Sequence, residues 1–185
     1  MRAFVAVELS DDIRNALGEV ISKMGRFDLP VKWVEPANLH LTLKFLGEVR
    51  EESAPAVARA MREAARSAAP FDLRLTRAGA FPSLARPRVL FIEADDDPPV
   101  TEELARRLDD AMSQLGVPRE VRPFRKHVTL GRVRRPAPLG LAADELRSLA
   151  SKGFGPMKVS QIVLMRSQLT PSGPIYEAVE RANLG

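Results

Sequence analysis

Apolar positions crowd the first residues, Ala3-Phe4-Val5-Ala6-Val7-Glu8, and predict a buried strand over 3–8. Ser10 follows as a helix N-cap, with Asp11 and Asp12 in the first turn, where the helix dipole favours acids. Ile13, Ala16, Leu17, Val20, Ile21 and Met24 then recur at helical spacing. A turn-rich stretch through Pro30 and Pro36 leads to a strand over 40–46, which Gly47 ends. A second helix is predicted over 52–68, with Ala54, Val57, Met61 and Ala64 on one face, and a strand over 72–78 comes next.

The order then begins again. Val89-Leu90-Phe91-Ile92-Glu93 is an apolar strand ending in Glu, like Phe4-Val5-Ala6-Val7-Glu8. A helix over 100–115 carries Val100, Leu104, Leu108, Met112 and Leu115 on its apolar face. Further elements are a strand over 127–133, a helix over 141–151, and strands over 158–165 and 174–180, the last after the turn Pro171-Ser172-Gly173-Pro174. The pattern predicts an α+β fold of two lobes related by a pseudo-twofold axis, each an antiparallel sheet with two helices packed on it. The whole of 1–185 reads as one domain built from two duplicated lobes.

The chemistry lies where the two halves repeat one another. The chain has two histidines, and both open the pattern His, apolar, Thr, apolar: His40-Leu41-Thr42-Leu43 and His127-Val128-Thr129-Leu130. A given His would meet that pattern by chance about once in a hundred. His40 lies 32 residues after Glu8, and His127 lies 34 after Glu93. In a strand, residues two apart share a face, so each tetrad offers an imidazole and a hydroxyl roughly 6–7 Å apart. Two such strands side by side would cradle a phosphate or a cyclic phosphodiester. With a pKa near 6.5, one imidazole can hold a proton while the other accepts one, as a two-proton reaction at phosphorus requires. The hydroxyls can donate to the non-bridging oxygens, where charge builds up.

Charge supports an anionic substrate. The net charge is +4, and Arg122, Arg125, Lys126, Arg132, Arg134 and Arg135 cluster around His127 with no acid among them. Arg125, Lys126 and Arg132 are candidate substrate-binding residues. Arg132 lies an odd number of positions from His127, so it reaches the site only if Gly131 bends the chain. By the same parity Phe45 is expected to pack in the core, and Trp33 and Tyr176 to be partly buried. The chain has no Cys, which excludes disulfides and Cys-based metal or redox sites. Two His 87 residues apart make a poor metal set, and Asp95-Asp96-Asp97 lacks the spacing of a calcium loop, so neither a metal nor another cofactor is expected. No apolar run is long enough to span a bilayer, and the N-terminus is too short and strand-like for a signal peptide. A cytoplasmic monomer with no membrane partner is expected.

The paired tetrads resemble those of the 2H phosphoesterase superfamily. Trp33-Val34-Glu35-Pro36-Ala37-Asn38-Leu39-His40-Leu41-Thr42-Leu43-Lys44-Phe45-Leu46-Gly47-Glu48-Val49 and Phe124-Arg125-Lys126-His127-Val128-Thr129-Leu130-Gly131-Arg132-Val133 are similar to the two motifs of the RNA 2′,3′-cyclic phosphodiesterases, also called 2′-5′ RNA ligases. Lys126 departs from that pattern, standing where Pro is expected. The resemblance implies metal-independent opening of an RNA terminal 2′,3′-cyclic phosphate to a 2′-phosphomonoester. It makes His40 the acid that protonates the departing 3′-oxygen and His127 the base that activates water. It further implies reversible 2′-5′ joining of RNA ends. Two alternatives stand beside it: action on another small cyclic phosphate or 2′-5′ oligonucleotide, and non-catalytic binding of RNA ends.

Overall fold

The computed structural model describes residues 1–171 and 173–185; Ser172, in the turn expected at 171–174, lies outside the described residues. In chain order the elements are β1 (Arg2–Glu8), α1 (Asp11–Met24), β2 (Val31–Trp33), β3 (His40–Glu48), α2 (Ala54–Arg66), β4 (Phe71–Phe81), β5 (Val89–Asp95), α3 (Val100–Ser113), β6 (His127–Val133), α4 (Leu141–Ser151), β7 (Pro156–Val159), β8 (Gln161–Thr170) and β9 (Gly173–Asn183). Short 3-10 turns at Pro36–Asn38 and Glu51–Ser53 precede β3 and α2. The latter supplies the first residues of the helix expected from 52. Ser10 caps α1 as expected, its Oγ accepting from the Ile13 amide.

The strands pair antiparallel in the order β7-β4-β5-β6-β3-β1-β8-β9, with β2 added to β6. Exchanging β1 with β5, β3 with β6, β4 with β8 and β7 with β9 reverses this order onto itself. The pseudo-twofold centre therefore falls between β3 and β6, the two strands that begin with histidine. These meet at one pair, Leu41 with Val128.

The lobes exchange parts. β4, from the first half of the chain, pairs with β5, while β8, from the second half, pairs with β1. The helices do likewise: α2 packs with α3 against β3, β8 and β9, and α1 packs with α4. Each lobe thus holds pieces of both halves, and the two share one continuous sheet.

The strand expected over 158–165 is in fact two. Ser160 interrupts it, so β7 pairs with β4 on one flank while β8 pairs with β1 and β9 on the other. Residues 159 and 161 lie at most about 7 Å apart. The two flanks must therefore converge there, which curls the sheet. One face of the sheet, with Val5, Val7, Leu41, Leu90, Ile92 and Val128, packs under all four helices in one core. The opposite face carries a small cluster of Phe4, Ala6, Val163 and Met165, flanked by Tyr176 and Ala178.

Candidate active site

Strand alternation puts both tetrads on the face away from the helices. Leu41, Leu43, Val128 and Leu130 are buried in the core, while His40, Thr42, His127 and Thr129 are half-buried on the other side. One step to either side of the Leu41–Val128 pair, the antiparallel register sets His40 across from Thr129 and Thr42 across from His127. The four side chains form a diagonal square.

Each imidazole is oriented by its own strand. His40 Nδ1 lies 2.7 Å from the carbonyl oxygen of Asn38, and His127 Nδ1 lies 2.7 Å from that of Arg125. A carbonyl only accepts, so both Nδ1 atoms carry the proton, and Nε2 is the working nitrogen of each ring. His40 Nε2 lies 3.0 Å from Thr42 Oγ1. That hydroxyl donates to the neutral ring and accepts from the protonated one.

Aromatic rings wall both histidines. Phe4 stacks on His40 at 4.7 Å between centroids, and Tyr176 meets it edge-on at 5.3 Å. Phe81 and Phe91 each approach His127 at 5.1 Å. This burial lowers the pKa of His40; the bond to Asn38 opposes the shift, and the charge of His127 adds to it. Burial likewise lowers the pKa of His127, against the Arg125 carbonyl and aided by the Arg125 and Arg132 guanidiniums.

A matching irregularity falls at the last residue of each tetrad. The β1–β3 register passes from Ala6–Thr42 to Val5–Lys44, skipping Leu43; the β5–β6 register passes from Phe91–Thr129 to Leu90–Gly131, skipping Leu130. These are bulges, and a bulge reverses the parity beyond it. Arg132 is thereby brought to the cleft face, the side of the sheet that carries both tetrads, as the bend anticipated at Gly131 would require. Phe45 is corrected: it is not in the core but 58% exposed on the cleft side, 6.3 Å from Phe4. The first bulge also turns Lys44 inward, where its Nζ donates to the Pro118 carbonyl at 2.8 Å and pairs with Asp109 and Glu120. At the second bulge only glycine fits, because a Cβ on Gly131 would lie 2.6 Å from Val31 Cγ1 and 2.9 Å from Trp33 Cε3. Trp33 itself is half-buried against the core, and Tyr176 is half-buried against His40.

The LigT-like phosphoesterase family model matches residues 7–91 and 93–176, one tetrad in each segment. The chain belongs to this family. A relative from Methanothermobacter thermautotrophicus, named RNA 2′,3′-cyclic phosphodiesterase, is 36% identical over 180 residues, 97% of each chain. The crystal structure of TT0787 of Thermus thermophilus superposes with a TM-score of 0.81 at 35% identity, covering 100% of this chain and 98% of that one. The structure of Escherichia coli LigT complexed with 3′-AMP does so with a TM-score of 0.77 at 26% identity, covering 99% and 97%.

In this LigT-like phosphoesterase the basic residues around His127 divide. Arg125 stays at the rim, its guanidinium 5.0 Å over the Phe81 ring and 3.7 Å from Glu93. Arg132 faces the cleft, where its charge acts on both His127 and Tyr176. Lys126 is corrected: its Nζ does not reach the cleft. It lies 2.8 Å from Asp96, 3.4 Å from Asp95 and 3.5 Å from Glu102, with its side chain 11% exposed. Lys126 precedes His127, so alternation sends it to the opposite face. The aromatic walls were missed in the sequence. Phe4 carried a signal, since it alternates with Ala3 and Val5 and so shares the face of His40. Among the described residues, no three His, Cys, Asp or Glu side chains gather as a metal set, and no helix is long and apolar enough to cross a membrane.

Proposed function

We propose that this phosphoesterase opens the 2′,3′-cyclic phosphate at an RNA terminus. Water attacks phosphorus, the P–O3′ bond breaks, and a 2′-phosphomonoester remains. The observation that carries this reading is the diagonal His–Thr square with both Nε2 atoms turned to the cleft. His127 takes the proton from the attacking water, and His40 gives one to the departing 3′-oxygen. The surroundings support that division. Arg125 and Arg132 favour neutral His127, the form a base needs. The charge that acts on His40 is that of His127 rather than of an arginine, and the Thr42 hydroxyl can accept from its protonated form. Thr42 and Thr129 donate to the non-bridging oxygens, and Arg132 and Arg125 add positive charge from the His127 side. None of these steps needs a metal ion.

The name carried by the Methanothermobacter relative and the 3′-AMP held by E. coli LigT agree with an RNA-derived substrate. With a 5′-hydroxyl in place of water as the nucleophile, the same square supports 2′-5′ joining: the P–O5′ bond forms, the P–O3′ bond breaks and the 3′-hydroxyl is released, and the reverse of this step cleaves the linkage. The palindromic strand order and the two-segment family match support one domain of two duplicated lobes.

An oligonucleotide ending in a 2′,3′-cyclic phosphate, incubated with the protein in EDTA, should yield a 2′-phosphate end. A 3′-phosphate product, or loss of turnover in EDTA, would contradict the mechanism. Binding without turnover would favour a non-catalytic RNA-end protein.

A further inference from the structure

Lys32 on β2 and Arg132 on β6 are register partners. Partners in an antiparallel pair present their side chains to the same face. Val31 and Trp33, on either side of Lys32, pack against the core. Lys32 therefore points the other way, to the cleft face that the Gly131 bulge gives to Arg132. Both residues are exposed, and neither meets a carboxylate among the described residues. Their neighbours differ: Arg125 reaches Glu93, and Lys126 is held by Asp96. Like charges directly opposite one another destabilise a ladder, and an anion between them removes that cost.

The position narrows the anion. Arg132 pairs with Val89 and Thr129 with Phe91, so Arg132 stands two ladder steps beyond Thr129. That is roughly 7 Å along the strand, about the stride from one phosphate to the next in RNA. A Cβ on Gly173 would lie 3.7 Å from Lys32 Nζ. The Lys32 ammonium thus reaches the start of β9, the strand that sets Tyr176 against His40.

We propose that Lys32 and Arg132 form a second phosphate subsite, which takes the backbone phosphate on the 5′ side of the terminal nucleotide. The inference rests on the RNA reading above. It makes Lys32 the residue that distinguishes an RNA end from a free cyclic nucleotide.

The test compares kcat/KM for a dinucleotide ending in a 2′,3′-cyclic phosphate with that for a nucleoside 2′,3′-cyclic phosphate. One charge-assisted contact corresponds to about a tenfold effect. The ratio of the two values should fall about tenfold in Lys32→Ala, fall further in Lys32→Glu, and be retained in Lys32→Arg. The salt dependence of dinucleotide kcat/KM should become shallower in Lys32→Ala by about 0.7 in log–log slope, the share of one single-strand phosphate. An uncharged methylphosphonate linkage in the dinucleotide should erase the difference between wild type and Lys32→Ala. An unchanged ratio in Lys32→Ala and Lys32→Glu would overturn the subsite and leave the RNA reading standing. Failure of the wild type to turn over either substrate would overturn the RNA reading, and the subsite with it.

Discussion

Leu41 on β3 and Val128 on β6 face each other, fully buried, at the pair that joins the two halves of the sheet. That single relationship fixes the site, because it sets each histidine across from the other strand's threonine. In the proposed reaction each hydroxyl acts on a phosphate held between the strands. Thr42→Val and Thr129→Val should each lower kcat about 10²-fold, the scale of one lost oxyanion donor. Steady-state kinetics on a cyclic-ended oligonucleotide would check this. A change confined to KM would assign the threonines to ground-state binding alone.

The pH dependence follows from burial. Both imidazoles have their pKa lowered in the folded protein. The pH profile of kcat/KM reports the free enzyme, so both limbs of its bell should lie below about 6.5, the ordinary histidine value. Bound phosphate favours the protonated ring, so the optimum of kcat should lie at higher pH than that of kcat/KM. The two limbs belong to the coupled pair rather than to either ring. A flat profile, or a kcat/KM optimum above neutrality, would count against paired histidines.

The same shifts link to stability. Below about pH 6.5 the unfolded chain binds protons that the folded histidines still refuse. Stability from these groups is full above that pH and is lost as pH falls through the lowered folded values. His40→Ala and His127→Ala should each flatten this acid-side loss. Urea unfolding at several pH values between about 5 and 7.5 would measure it; parallel curves for wild type and variants would contradict it.

Lys126 should matter for folding before it matters for substrate. Its ammonium neutralises Asp96, whose side chain is fully buried and also accepts from the Thr101 amide at 2.7 Å. Removing one partner of a buried pair strands the other charge, so Lys126→Met should cost about 3 kcal/mol. Lys126→Met with Asp96→Asn should recover much of that loss. Denaturant midpoints for the single and double variants give the coupling. A rise in KM without loss of stability would return Lys126 to the substrate.

What was legible in the chain was what repeats locally. The helices α1, α2 and α3 follow from apolar spacing, and the two tetrads follow from strand alternation. The misreadings at Phe45 and in the 158–165 segment share a cause: a bulge or a break is defined by the strand alongside. Leu43 and Leu130 look like ordinary strand residues until their partners on β1 and β5 skip them. Gly131 was the readable clue, since glycine within a strand marks a bulge or a close approach. Lys44 had no such clue, and its burial depends on Asp109 and Glu120 lying behind it. The exchange of β4 and β8 between lobes lies beyond any local pattern.

Gly131 also makes the bulge testable. Gly131→Ala places a methyl group against Val31 and Trp33, and overpacking of this kind costs about 1–3 kcal/mol. The strain falls one residue from Arg132, so KM should rise as well. Thermal unfolding and steady-state kinetics on the same preparation would show both effects. A variant as stable and active as wild type would show that the bulge does not require glycine.

In the proposed reaction His40 and His127 carry out one proton transfer each. A 2′,3′-cyclic substrate in which sulfur replaces the 3′-oxygen separates the two roles. A thiol has a pKa near 8.5, so the thiolate departs without a proton donor. On this substrate His40→Ala should recover to within about tenfold of wild type, while His127→Ala stays about 10²–10⁴-fold down, the usual worth of a general base. Failure of the sulfur to restore His40→Ala would contradict the assignment of His40 as the acid.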